Sequence, residues 1–169
     1  GPVQGGEALP TGIAFDAGEG SYVVLDTANS RVIRLDGEGR FAREFGGFGS
    51  GQGQFEFPQG VAIDPETGQI FVLDTGNGRV QRFNSNGFFL GQFGRAGSAE
   101  GQFQQPCGIA IDAGRNVVVN EARPREERPG GFGKSAAVLV VKAASAAANV
   151  AKVASAVAVA ASAAAAVVA

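Results

Sequence analysis

The sequence predicts an all-β fold of β-propeller type, and three observations carry that expectation. First, a block of proline, glycine and aspartate returns at a fixed spacing. Pro10, Pro58 and Pro106 stand 48 residues apart, each opening a Pro-x-Gly-apolar-Ala-apolar-Asp run. Self-similarity near this period marks a solenoid, a propeller or an array. Second, short runs rich in Val, Ile and Phe alternate with turns rich in Gly, Asn and Asp, the pattern of hairpin-linked strands. Third, four such runs fit into each unit, the strand count of a propeller blade. A lone sheet of this size is marginal, so neighbouring units have to cover its faces.

Residues 1–9 are Gly-rich and read as the end of a preceding unit. In the first unit, Gly12-Ile13-Ala14-Phe15-Asp16 is a short apolar run closed by the turn Ala17-Gly18-Glu19-Gly20. Tyr22-Val23-Val24-Leu25 is built from strand formers. Asp26 to Ser30 is a turn, because Asp, Asn and Ser bond their own backbone there. Arg31-Val32-Ile33-Arg34-Leu35 mixes charged and apolar residues as a half-buried strand does. After Asp36 to Gly39, Phe41 to Phe45 is the fourth strand.

The second unit matches part for part. Its strands are Val61-Ala62-Ile63, Ile70 to Leu73, the run after Arg79, and Phe89 to Phe93. Its turns include Asp74 to Gly78 and Ser85-Asn86-Gly87. The third unit opens in the same way, with Ile109-Ala110-Ile111-Asp112 and then Val117-Val118-Val119.

These motifs resemble those of the NHL-repeat family of β-propellers. The Gly-Gln-Phe lead-in and the Pro-x-Gly-apolar-Ala-apolar-Asp run stand at 53–64 and 101–112. The Asp-Thr-x-Asn-x-Arg-Val turn stands at 26–32 and 74–80. The resemblance covers about residues 10–119. It implies four-stranded blades around a central channel, with six or so blades in a closed ring. This chain departs from it in number, with two full blades and part of a third.

Beyond residue 119 the pattern fails. Asn120 to Gly131 holds two prolines and six charged residues, which do not make an internal strand. From Ser135 to Ala169 the chain is almost entirely Ala and Val, with no Gly, Pro, Asp or aromatic residue to code turns. The expected organisation is thus propeller blades over 1–119, a charged Pro/Gly linker over 120–134 and a low-complexity tail over 135–169. Ala favours helix, and Val150, Val153 and Val157 share a helical face, so a helical tail is one expectation. The other is further blades, with the Ala and Val names standing in for other residues, or a shifted reading frame. A membrane span is not favoured, because Lys152 leaves only Val153 to Ala169 uncharged, at the short limit.

Composition narrows the function classes. The net charge of −2 supplies no global field for nucleic acid or anionic lipid. The absence of His removes the commonest zinc ligand and the usual general base. Cys107 is the only cysteine, which excludes an internal disulfide and leaves the compartment open. No Met occurs, even at position 1, which reads as a processed, tagged or partial chain. No cofactor or metal is expected.

Asp16, Asp64 and Asp112 recur in one register, as do Asp26 with Asp74 and Arg31 with Arg79. A catalytic group need occur only once, so repetition points to turn-fixing roles, the Asp residues accepting backbone N–H groups and the Arg residues bracing the blade. Positions that vary inside the repeat are the better binding candidates: Thr11, Gln59 and Cys107 between the repeated Pro and Gly. In the resembled fold they lie near the channel mouth, and Asn29, Asn77, Gln54 and Gln102 belong to loops on that same face, where repeat proteins usually meet ligands. Cys107 has no His to activate it as a nucleophile. Arg34, Arg40, Arg43, Arg79 and Arg82 are interleaved with Asp36, Glu38 and Glu44, a mixed face rather than a phosphate track.

The reading is a non-enzymatic binding or scaffold module with a protein partner or self-assembly. The alternatives are part of a six-bladed lyase or hydrolase whose site lies in other blades, and an RNA-binding propeller, which is not favoured.

Overall fold

The computed structural model describes residues 7–97, 102–121 and 137–142, with backbone only for Glu121 and for 137–142. Every regular element among them is a strand. The first blade comprises β1 (Pro10–Asp16), β2 (Ser21–Asp26), β3 (Arg31–Leu35) and β4 (Phe41–Gly46), paired in sequence order. The second repeats it with β5 (Gly60–Ile63), β6 (Ile70–Asp74), β7 (Arg79–Phe83) and β8 (Phe89–Phe93). The third has β9 (Pro106–Ile111), β10 (Asn116–Glu121) and β11 (Ala137–Lys142), in the order β11-β10-β9. Even the irregularities repeat: the register slips at Arg34/Leu35 against β4, and at Arg82/Phe83 against β8.

The three sheets share their inner edges. β1 lies beside β5 and β5 beside β9, while the backbones of β4 and β8 approach only strands of their own sheets. Sheets that touch along the first strand and splay apart toward the fourth are arranged radially, as blades are.

Side chains fill the wedges. Between the first two blades lie Val23, Leu25 and Val32 from one side and Val61, Ile70, Val72 and Phe83 from the other. Between the second and third lie Phe71, Leu73 and Val80, then Val117 and Val119. The Phe of each Gly-Gln-Phe lead-in plugs one wedge: Phe55 is buried in the first, Phe103 in the second. Each Phe requires the glycine that ends the preceding outer strand. Gly46 and Gly94 hold positive φ (113° and 83°), and a Cβ there would run into Phe55 and Phe103.

Of the two expectations for the tail, residues 137–142 follow the second: they form a strand of the third blade, antiparallel to β10, with Val118 opposite Val140. β10 otherwise offers an open row of backbone N–H and C=O groups, and Val138-Leu139-Val140-Val141 is apolar and mostly β-branched. Pairing satisfies those groups, so the strand asks for no other residue names. The charged linker from residue 122 and the tail from residue 143 lie outside the described residues.

Candidate functional site

One end of the blades gathers the start of β1, the β2–β3 turn and the link from β4 to β5. The second blade repeats this with the start of β5, the β6–β7 turn and the link from β8 to β9. All the variable positions singled out in the sequence belong to this end.

The turns here are built on aspartate. Asp26 ends β2 and accepts from the Leu9 N–H (3.1 Å), Asn29 Nδ2 (2.8 Å) and Arg31 Nε (2.9 Å). Arg31 also donates to Glu44 on β4 (2.9 Å). Asp74 takes the same place in the second blade. It accepts from the Glu56 N–H (2.8 Å), Asn77 Nδ2 (3.0 Å) and Arg79 Nε (2.7 Å). Burial works to raise the Asp26 carboxyl, but its bonds from Asn29, Leu9 and Arg31 outweigh burial and hold it below the usual carboxylate range.

At the opposite end, Asp16 accepts from the Gly18 and Glu19 N–H groups, and its Oδ2 meets Arg34 Nη1 at 3.0 Å. Asp64 accepts from the Glu66 N–H and from Thr67. Asp112 is bonded by the backbone and side chain of Asn116, which lower its carboxyl. Arg115, in the third blade, crosses to Asp64 at 2.6 Å and to Glu66 at 2.8 Å. Burial would raise the Asp64 carboxyl; the bonds from Arg115, the Glu66 N–H and Thr67 prevail and lower it.

The predicted binding residues divide. Asn29 and Asn77 spend their amides on Asp26 and Asp74, and Asn77 also reaches Gly49 O (3.0 Å). Gln54 accepts from the Gly51 N–H, folding the link onto itself. Gln102 lies against Gly97 in the matching link. Thr11, Gln59 and Cys107 are exposed at equivalent places beside β1, β5 and β9. The Cys107 thiol contacts Asn120 O at 3.6 Å.

Three features escaped sequence reasoning. Thr27 Oγ1 donates to Pro58 O (2.6 Å) and Thr75 Oγ1 to Pro106 O (2.8 Å), so each blade is stitched to the next. The Thr27 hydroxyl proton is committed to a carbonyl, so Thr11 is the donor in its bond to Thr27. Gln81 is fully buried where the first blade has Ile33. It binds Gln54 O, Asp74 and the Gly53 N–H, holding the link against β7. The link also displays two aromatic rings, Phe48 (72% exposed) and Phe57 (63% exposed). Phe57 has φ of +45°, unusual for a bulky residue, and Gln105 repeats that conformation one unit later.

Of the arginines weighed for RNA, four are engaged and Arg82 is half-buried. Arg34 and Arg79 are buried beside carboxylates, Arg40 pairs with Asp36 and Glu38, and Arg43 bonds Asn86. Among the described residues, no group of three or more His, Cys, Asp or Glu converges as a metal site would.

Residues 55–83 match the NHL repeat. Solved structures share the fold at low identity. The hydrazine synthase of Kuenenia stuttgartiensis superposes with a TM-score of 0.60 at 14% identity, covering 85% of this chain and 35% of that one. A catalytically inactive virginiamycin B lyase from Staphylococcus aureus, solved with quinupristin, gives 0.54 at 18% identity over 70% of this chain and 36% of that one. A nidogen/laminin complex gives 0.53 at 19% identity over 68% and 40%. No curated protein matches the chain in sequence. The chain thus has a β-propeller fold and carries an NHL repeat at 55–83, and it spans little more than a third of those structures.

Proposed function

We propose that this chain is a binding module that recognises a protein partner through the blade end carrying Thr11, Gln59, Cys107 and the β4–β5 link. One observation carries the reading: Phe57 is held in a left-handed backbone conformation with its ring 63% exposed, on the same link as the exposed Phe48. A strained backbone persists only where its surroundings over-determine it, and such residues gather at ligand sites. Here the surroundings are visible: Phe55 is buried two residues earlier, Pro58 O is bonded by Thr27, and Asp74 holds the Glu56 N–H. Rigidly mounted aromatic rings make good interface anchors, because little entropy is lost when they are covered. Thr11 and Gln59 supply a polar rim. The role is recognition rather than chemistry, since the buried carboxylates of this end are spent on turns.

The test pans a random peptide library on the full chain and counter-screens every enriched peptide against Phe57→Ser and Phe48→Ser. Enriched peptides with apolar side chains that lose binding to both variants support the reading. No enrichment, or binding indifferent to both substitutions, overturns it.

A further inference from the structure

Two chemically identical Asn-Gly pairs occur in the chain, Asn77-Gly78 and Asn86-Gly87. In such a pair the glycine nitrogen can attack the asparagine side chain, because no Cβ shields it and the nucleophile is tethered beside its target. Both pairs lie in turns of the second blade. In both, the glycine N–H donates to a carbonyl three residues back: Gly78 to Thr75 O and Gly87 to Asn84 O, each at 3.0 Å. Either attack has to open one such bond, so the backbone does not separate the two pairs. The side chains do.

The Asn77 amide nitrogen donates to both carboxylate oxygens of Asp74 (3.1 and 3.0 Å) and to Gly49 O (3.0 Å). Attack on that amide would build negative charge on Oδ1 beside a carboxylate, and Gly78 is buried. Asn86 is exposed and meets the opposite charge: Arg43 Nη1, on β4 of the first blade, donates to Asn86 Oδ1. That oxygen is the atom on which the charge develops, and a donor placed there lowers the barrier. Packing keeps the glycine in place. Gly87 has φ of +89°, and a Cβ there would stand 2.5 Å from Phe45 Cδ1.

The geometry points to Asn86 as a self-modification site whose deamidation Arg43 promotes from the neighbouring blade. Hydroxide from water removes the Gly87 N–H proton, and that nitrogen forms a bond to Asn86 Cγ. The Cγ–Nδ2 bond breaks, and the amide leaves as ammonia with a proton from water, which regenerates the hydroxide. Water then opens the five-membered imide. Cleavage of the new N–Cγ bond leaves aspartate at this position, and cleavage at the main-chain carbonyl leaves isoaspartate. The two products act oppositely on the strap between the blades. Aspartate sets a carboxylate against the Arg43 guanidinium, a stronger charge-assisted pair. Isoaspartate lengthens the main chain of the turn by one carbon and spoils its fit against Phe45. The site lies at the blade end opposite Thr11, Gln59 and Phe57, so it does not depend on partner binding.

The test ages the full chain in mildly alkaline buffer, and peptide mapping by mass spectrometry follows the amide-to-acid conversion at Asn86 and Asn77 separately. Asn86 is expected to convert faster by about tenfold; a donor in a dry site supplies about a hundredfold or more, and water weakens it here. Arg43→Gln should slow conversion at Asn86 several-fold, and Arg43→Lys should keep most of the wild-type rate, while neither alters Asn77. In the urea-unfolded chain the two sites are expected to convert at similar rates. Asn77 converting as fast as Asn86 in the folded chain overturns the inference. So does an Asn86 rate that Arg43→Gln leaves unchanged or raises, and so does a preference for Asn86 that survives in urea.

Discussion

The first and second blades are built from the same repeat, yet they are buried differently. Val61 is 7% exposed, while Ile13, at the same place in the first blade, is ten times more open. Ile70, Val72 and Phe83 are wholly buried; their counterparts Tyr22, Val24 and Leu35 are only half covered. Nothing in the local sequence separates the two sets, since both are apolar and in strands. The difference is the neighbour. Among the described residues, the second blade has a sheet on either side, and the first has one on a single side. In a radial repeat, burial belongs to the pair of blades and not to the blade.

The polar networks differ as well. Asp74 holds together Arg79, Asn77, Gln81 and the link backbone, and the Arg79 fork also reaches Gly51 O and Gln54 O. In the first blade Asp26 lacks a glutamine partner, and Arg31 has a second carboxylate in Glu44. Arg34 is buried against Asp16 with its Nε and Nη2 unpartnered, whereas Arg82, its counterpart, is half-buried.

The sharpest break in the comparison is expected from Asp74→Ala. It leaves Arg79 buried without a carboxylate, which costs about 3–5 kcal/mol. Asp26→Ala should cost less, because Arg31 keeps Glu44; urea denaturation of the two variants measures the gap, and equal losses would show that Glu44 contributes nothing. Next comes packing. Phe83 meets Phe45 at 4.8 Å and Phe55 at 5.7 Å between ring centroids, so Phe83→Ala is expected to cost about 3–5 kcal/mol. Leu35→Ala, at the matching place in the first blade, should fall below the usual range of about 2–5 kcal/mol for a buried leucine. A full-size loss at Leu35 would mean that its face is covered in solution.

A smaller effect concerns Gly46→Ala. It places a Cβ 2.7 Å from Phe55 Cε2 at a φ that side chains avoid, so a loss of more than about 1 kcal/mol is expected in thermal unfolding. The smallest effect is the acid dependence of the Asp64–Arg115 bridge between the second and third blades. The folded carboxyl lies below its unfolded value of about 3.9, so the stabilisation is complete above that pH and is lost as pH falls through the folded value. Arg115→Gln should therefore flatten the stability curve below about pH 4 and leave its shape near neutrality unchanged; an unaltered acid limb would remove the bridge from the account.

Much of the fold was legible. The Pro-x-Gly-x-Ala-x-Asp runs placed β1, β5 and β9, and the Asp-Thr-x-Asn turns placed the starts of β3 and β7. The strand at 137–142 was not legible, because Ala and Val leave helix and strand close in propensity and an open edge on β10 decided between them. Of the candidate face, the exposed Thr11, Gln59 and Cys107 could be placed from register. The spent amides of Asn29 and Asn77 could not, since a side chain's partner depends on what the turn brings near it. Phe48 and Phe57 read like any other apolar residues until the chain was folded.

By itself, the sequence determined the period, the strand count of each full unit and the small-then-large alternation of the innermost strands. These are local, because turn chemistry and a two-residue side-chain period act within one hairpin. Only the tertiary structure decided which apolar faces are covered, which threonines stitch one blade to the next and which aromatic rings stay in water. Those outcomes depend on groups about 30 to 50 residues apart meeting across a wedge, and no window of sequence holds both sides of it.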